Sequence, residues 1–391
     1  MGESDRERQN GPRVLWISHG YGYGGDFMYF GEIFRQFRER FPSMAVAVDR
    51  ETPYRNPYNI PLLPIMQLMR KAIRRHAPDG QAYETEVTFP GPGFAVNLVR
   101  QKFDVFIIIE FTAPALIATL VATLSRRKKL VLLVESDPAL RGASRNPLVR
   151  RIKRWAVARA DAIQTNNVRG RRYLVEDLGA DPQRVEVAPY LTSRPPGASP
   201  VIARREGMLR LLFVNSINAR KGVREMLEAI ALLDPVTRET ISLTVVGDGP
   251  QRAELEAFAH SLGMGERLHF AGRKSYDSLG PYYADADVLL IPSLADYRSL
   301  AGFEGLSYGL VLLASSKDGA TEETVIEGRN GYAIDPSNPS DLAARIAQLA
   351  SDPDTVMAMR EQSFALYEQV FSLDRIADNL ASSVNRALAA T

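Results

Sequence analysis

Short apolar runs recur along this chain, each followed by a turn and then by apolar positions at helical spacing. Val14-Leu15-Trp16-Ile17-Ser18 is the first, and it ends in the glycine cluster His19-Gly20-Tyr21-Gly22-Tyr23-Gly24-Gly25. Phe27, Phe30, Ile33, Phe34, Phe37 and Phe41 then fall near a helical period, so the pattern predicts strand, glycine-rich turn and helix. A second run, Met44 to Val48, closes on Asp49. Residues 51 to 65, rich in Pro, Tyr and Asn, read as a loop. Ile65 to Arg75 reads as a basic amphipathic helix carrying Arg70, Lys71, Arg74 and Arg75, a segment suited to an anionic membrane surface or to packing with a solvated basic face.

Phe106 to Leu124 is apolar over 19 residues and precedes Arg126-Arg127-Lys128-Lys129, the flank of a membrane span. Glu110 interrupts it, and Thr112 with Pro114 forms a helix start. The pattern therefore predicts strand Asp104–Ile109, helix Pro114–Leu124 and strand Leu130–Val134. Further strands are expected at Ala160–Thr165 and Val185–Tyr190. Leu191 to Glu206, LTSRPPGASPVIARRE, has linker composition, and a second alternation opens at Leu209. The chain thus divides into a domain over 1–195 and a domain over 206–391, ending in an alanine-rich helix at about 372–390.

Composition is that of a globular protein, 45% apolar and 24% charged. Without cysteine there are no disulfides or thiolate metal sites, and a reducing, cytoplasmic compartment is expected. The polar first dozen residues lack an apolar signal-peptide core and read as a disordered tail. Residues 1–200 carry 30 Lys and Arg against 20 Asp and Glu, or +10; residues 201–391 carry 18 against 26, or −8. This asymmetry points the first half at an anionic partner such as the inner face of a membrane. No nucleic-acid partner is expected. The four histidines are scattered, so no His/Cys metal site is expected.

The densest chemistry lies in Ile291 to Leu313, IPSLADYRSLAGFEGLSYGLVLL. Asp296 and Glu304 have seven residues between them, one expected in a loop and one just inside a helix over Glu304–Tyr308. A helix N-terminus between them offers free amides and a dipole to an anion. Two carboxylates flanking an anion site suit a sugar nucleotide. Simpler roles are a loop cap for Asp296 and a first-turn acid for Glu304.

This stretch resembles the E-x7-E motif of family-4 retaining glycosyltransferases, whose fold is GT-B: two Rossmann-like α/β domains facing a cleft, with the terminal helix crossing back to the first domain. Asp296 stands where that family usually has Glu. The turn Gly247-Asp248-Gly249-Pro250, the strand end Phe270-Ala271-Gly272, the turn Glu327 to Tyr332 and the loop ending Arg220-Lys221-Gly222 agree with it, so the likeness covers about residues 209 to 375. The resemblance implies transfer of a sugar, with retention, from a nucleoside diphosphate sugar (UDP-sugar favoured, GDP-sugar next) to a glycan or lipid-linked acceptor in polysaccharide or glycoconjugate synthesis, without cofactor or metal. It implies that Asp296, Glu304 and Lys221 are catalytic, Asp296 taking the donor sugar hydroxyls and Glu304 the ribose, and that the donor is bound by Gly24, Gly25, Arg220, Lys221, Arg273, Lys274, Ser299, Leu300, Ala301, Gly302 and Glu304. His19, Glu135 and Asp137 would lie on the acceptor or sugar side. Ser216 replaces an arginine of the family pattern, and Glu135 a histidine that touches the donor sugar.

Three alternatives stay open. These departures suit a glycosyltransferase-like protein that binds nucleotide without turnover. Gly20, Gly22 and Gly25 satisfy G-x-G-x-x-G with Asp49 downstream, which suits an NAD-dependent oxidoreductase. A GT-B sugar-nucleotide epimerase is the third.

Overall fold

In the computed structural model, residues 11–17, 29–51, 56, 58–76, 82–125, 127–135, 146–203 and 207–390 are described. The chain forms two compact units, Met1–Leu191 with Leu373–Thr391, and Thr192–Ser372.

The first unit is built on a parallel sheet of seven strands: β1 (Val14–Ile17), β2 (Ala45–Asp49), β3 (Leu62–Met66), β6 (Val105–Ile109), β7 (Lys129–Val134), β8 (Ala162–Thr165) and β9 (Val185–Val187), in the order β3-β2-β1-β6-β7-β8-β9. β1 and β8 are buried along their whole length, and β7 along all but its first residue. A parallel sheet covered on both faces needs such continuous apolar strands, which is why these segments do not alternate. Helix Tyr29–Arg40 follows the aromatic stripe: Phe34 lies 5.1 Å and Phe37 6.4 Å from the Trp16 ring, both edge-on. The apolar stretch after Val105 is a strand and then helix Ala113–Leu124, with Thr112 as N-cap accepting from the Ala115 amide. Among the described residues no helix is long and apolar enough to cross a membrane.

Two expectations in this unit fail. Part of the stretch read as a loop is β3, which pairs with β2 from Val46↔Leu62 onward. The segment read as a basic amphipathic helix is β4 (Leu68–His76), an antiparallel partner of β5 (Ala82–Pro90), in register from Leu68↔Pro90 to His76↔Ala82. Helical spacing in so short a run is a weak local preference. Here it yields to pairing with β5, whose sequence AYETEVTFP is rich in β-branched and aromatic residues.

The terminal helix Leu373–Ala389 belongs to this unit and packs on helix Tyr29–Arg40, β7 and β8. Arg40 pairs with Asp374 and Asp378, and the Ser383 hydroxyl donates to Gln164 at 2.7 Å.

The second unit has six parallel strands: β10 (Leu209–Val214), β11 (Ile241–Val246), β12 (Leu268–Gly272), β13 (Val288–Ile291), β14 (Val311–Ser315) and β15 (Gly331–Ile334), in the order β12-β11-β10-β13-β14-β15. The winding reverses between β10 and β13, as it does between β1 and β6 in the first unit. Open α/β sheets bind ligands beyond the carboxyl ends of strands at such a reversal.

Of the stretch read as a linker, residues 192–203 are part of this second unit and packed in it. Tyr308 donates its hydroxyl to the carbonyls of Pro195 at 2.5 Å and Ala198 at 3.1 Å. Arg360, only 2% exposed, donates to the carbonyls of Val201 at 2.6 Å and Ala203 at 3.2 Å while pairing with Asp287 at 3.1 Å. Composition rich in Pro and Gly signals irregular backbone, not looseness.

Candidate active site

The loop after β10 carries Arg220 and Lys221 on a tight turn, Ala219–Lys221, that ends at Gly222. Gly222 has φ +70°, and a Cβ there would stand 1.9 Å from the Pro292 carbonyl oxygen. Glycine thus lets the loop after β10 lie against the loop after β13. The Gly247 turn is pressed equally hard, its missing Cβ falling 1.8 Å from the Asn215 oxygen. Gly247 thus packs the loop after β11 on the loop after β10, one strand from the reversal, and Gly222 makes the crossing at the reversal itself.

That crossing brings three predicted residues together. Lys221, 5% exposed, donates its ammonium to Asp296 Oδ2. Arg220 pairs with Asp296 Oδ1 at 3.1 Å and donates to the Ala295 carbonyl at 3.0 Å. The Tyr297 amide also donates to Oδ1, at 2.9 Å. Burial works against ionisation of Asp296, but Lys221 and Arg220 outweigh it and hold the carboxyl below its ordinary value.

The helix after Asp296 runs Leu300–Ser307 with Ser299 at its N-cap. It starts a full turn earlier than the expected Glu304–Tyr308, because Gly302 and Gly305 do not break it: Gly302 faces Thr324, and Gly305 fits against Leu289 and Leu312 where a Cβ would crowd them. The Ser299 amide donates to Asp318 Oδ1 at 3.1 Å, so a carboxylate from the loop after β14 caps this end. The amides of Leu300, Ala301 and Gly302 are the first of the helix, and helix geometry gives them no intrahelical acceptor. Arg298 is fixed beside them by Glu323, at 2.8 to 3.1 Å, and lies 4.1 Å over the Phe303 ring.

Glu304 sits in the second turn, so its role as a first-turn acid does not hold. It is 7% exposed, and its oxygens accept from Ser193 Oγ at 2.7 Å and from the Tyr283 hydroxyl. Ser193 in turn shares a 3.0 Å hydrogen bond with the Tyr276 hydroxyl. Burial raises the Glu304 carboxyl above its ordinary value, against the two hydroxyl donors.

Arg273 and Lys274 are exposed at the end of the edge strand β12, two strands from β10, and Lys274 stacks 5.8 Å over Tyr282. No described contact joins them to the Lys221–Asp296 cluster. In the first unit, Glu135 follows β7, and its amide donates to Glu110 Oε1 at 2.8 Å; Glu110 holds φ +57° at the end of β6. His19, Gly24, Gly25, Asp137 and the fingerprint glycines Gly20 and Gly22 lie outside the described residues. Sequence reasoning missed Asp318, Ser193 and Tyr283. Asp318 had a signal, an acid before glycine just past an apolar strand near the reversal. Ser193 and Tyr283 had none, since they reach Glu304 only through the fold.

Residues 199–365 match the family model of glycosyl transferases group 1. This stretch of the second unit is a domain of that kind. Among curated proteins, the chain is 31% identical over 232 residues to 2-deoxystreptamine glucosyltransferase of Streptomyces kanamyceticus, covering 54% of this chain and 57% of that one. It is 29% identical over 248 residues to D-inositol 3-phosphate glycosyltransferase of Geodermatophilus obscurus, covering 59% and 54%. The chain thus spans little more than half the length of these relatives. Among solved structures, HepE of Anabaena in complex with UDP superposes with a TM-score of 0.70 over 95% of this chain and 99% of that one, at 16% identity. The fold is GT-B, with two Rossmann-like units.

Proposed function

We propose that this protein is a retaining, metal-independent glycosyltransferase that moves a sugar from a nucleoside diphosphate sugar, UDP-sugar first, to a glycan or lipid-linked acceptor. The observation that carries the reading is the meeting of Lys221, Arg220 and Asp296 at the sheet reversal of the group 1 domain. Likeness to proteins named for glucosyl and glycosyl transfer, and to one solved with UDP, supports it.

In this reading the diphosphate leaves with growing negative charge. Lys221, Arg220 and the amides of Leu300, Ala301 and Gly302 stabilise that charge. Asp296 orients both cations, and Glu304 accepts the ribose hydroxyls on lone pairs that Ser193 and Tyr283 leave over. The pairing of Asp296 with both cations also favours a second reading, nucleotide binding without sugar turnover.

The test is thermal stabilisation by UDP, GDP, ADP and NAD in parallel. A ligand at about 100 times its dissociation constant adds roughly 2.7 kcal/mol. A shift with one nucleoside diphosphate that is lost in Lys221→Ala and weakened in Glu304→Gln supports the site and gives the base. A shift with NAD alone overturns it. Release of sugar to water or acceptor then separates an enzyme from a binding protein.

The membrane partner now rests on a different element. Helix Pro147–Arg159 exposes Leu148, Val149 and Trp155 beside Arg151, an apolar and basic surface suited to anionic headgroups. Trp155→Ala with Arg151→Glu should cut co-sedimentation with phosphatidylglycerol vesicles several-fold. Equal sedimentation of parent and variant would remove the membrane from the reading.

A further inference from the structure

The two oxygens of the Asp318 side chain have unequal surroundings. Oδ1 accepts from the amides of Ser299 at 3.1 Å and Ala320 at 2.8 Å. Oδ2 is enclosed and has no hydrogen-bond partner among the described residues, in a residue 3% exposed. A carboxyl oxygen taken from water without a partner is costly, and such a group in a native fold calls for an explanation.

Its position offers one. Asp318 is bridged to Asp296: the Asp296 amide donates to the Lys317 carbonyl, and the Gly319 amide to the Asp296 carbonyl, both at 3.2 Å. It lies in the electrostatic field of Lys221 and Asp296. It also caps the helix whose next amides are the diphosphate site proposed above. Asp296, by contrast, has both oxygens engaged, Oδ1 by Arg220 and Tyr297 and Oδ2 by Lys221. In a nucleoside diphosphate sugar the ring is bonded directly to the terminal phosphate. Amides that hold that phosphate therefore bring the ring hydroxyls beside the N-cap.

We infer that Asp318 Oδ2, rather than Asp296, accepts a hydroxyl of the donor sugar, which makes Asp318 a sugar-discriminating residue. This rests on the nucleotide-sugar reading of the site. Burial raises the Asp318 carboxyl above its ordinary value, against the two amides that favour its charge. Ionised or protonated, the group can bond a sugar hydroxyl.

The experiment compares UDP with UDP-glucose, UDP-galactose and UDP-N-acetylglucosamine by calorimetry, in the parent and in Asp318→Asn. The asparagine keeps an oxygen for the two amides and removes the second acceptor. Asp318→Ser, which retains a capping oxygen, serves where the asparagine variant does not fold. The variant should bind UDP within about twofold of the parent and the preferred UDP-sugar at least roughly tenfold more weakly, the effect of one hydrogen bond to a charged group. Equal weakening of UDP and UDP-sugar overturns the inference, as does no change in either. Where the stabilisation assay gives guanine or adenine as the base, the same comparison is run with that diphosphate and its sugars; a parent that binds no nucleoside diphosphate or its sugars overturns the donor reading, and the inference falls with it.

Discussion

Asp296 and Glu304 lie on one loop-and-helix segment with seven residues between them, yet their surroundings are opposite. Asp296 is gripped by two cations and held acidic. Glu304 has no cation among its described partners; it takes two hydroxyl donors in an enclosed setting and is pushed toward its protonated form. A motif fixes spacing, while the environments that divide labour between two carboxyls come from other strands and from the connecting stretch. In the proposed reaction this difference assigns charge handling to one acid and hydroxyl recognition to the other.

The largest effect should come from Gly222→Ala. Its Cβ would meet the Pro292 oxygen and force the Lys221 turn away from the Asp296 loop, leaving Ser193, Tyr283 and Glu304 in place. Urea denaturation should show a loss of roughly 3 kcal/mol or more. A variant within about 1 kcal/mol of the parent would mean that backbone crossing does not template the cation grip.

A smaller effect sharpens the contrast through pH. The folded Asp296 sits below its reference value of 3.8. Its ionised form therefore stabilises the fold above pH 3.8, and that contribution fades as pH falls through the lower folded value. The folded Glu304 sits above its reference value of 4.5. Its contribution is complete below pH 4.5 and is lost as pH rises through the folded value. Calorimetric unfolding should show Asp296→Asn converging on the parent as the pH drops below about 3.8, and Glu304→Gln gaining on the parent as it rises above about 4.5. Parallel pH profiles for the two variants would erase the distinction.

Much of this was legible in the sequence, where the signal was local. Continuous apolar runs marked the buried parallel strands, and Thr112 with Pro114 marked a helix start inside a span-like stretch. The Lys-Gly loop and the Asp296–Glu304 spacing pointed to the residues that meet in the candidate site. Signals failed where a distant partner decided the outcome. β4 is a strand because β5 pairs with it, and the connecting stretch is fixed because Arg360 and Tyr308 come back to it from far along the chain. Asp318 lies one strand beyond the motif, so spacing within the motif could not reveal it.

The terminal helix makes the two units unequal as pieces of chain. The second unit is one continuous excursion, whereas the first is interrupted by it and completed only by residues Leu373–Thr391. Synthesis therefore delivers every residue of the second unit before the last helix of the first exists. Until then Arg40 lacks Asp374 and Asp378, and Gln164 lacks Ser383. A nascent chain should hold a finished second unit beside an unfinished first, and loss of the final twenty or so residues should strike the fold farthest from the cut in sequence.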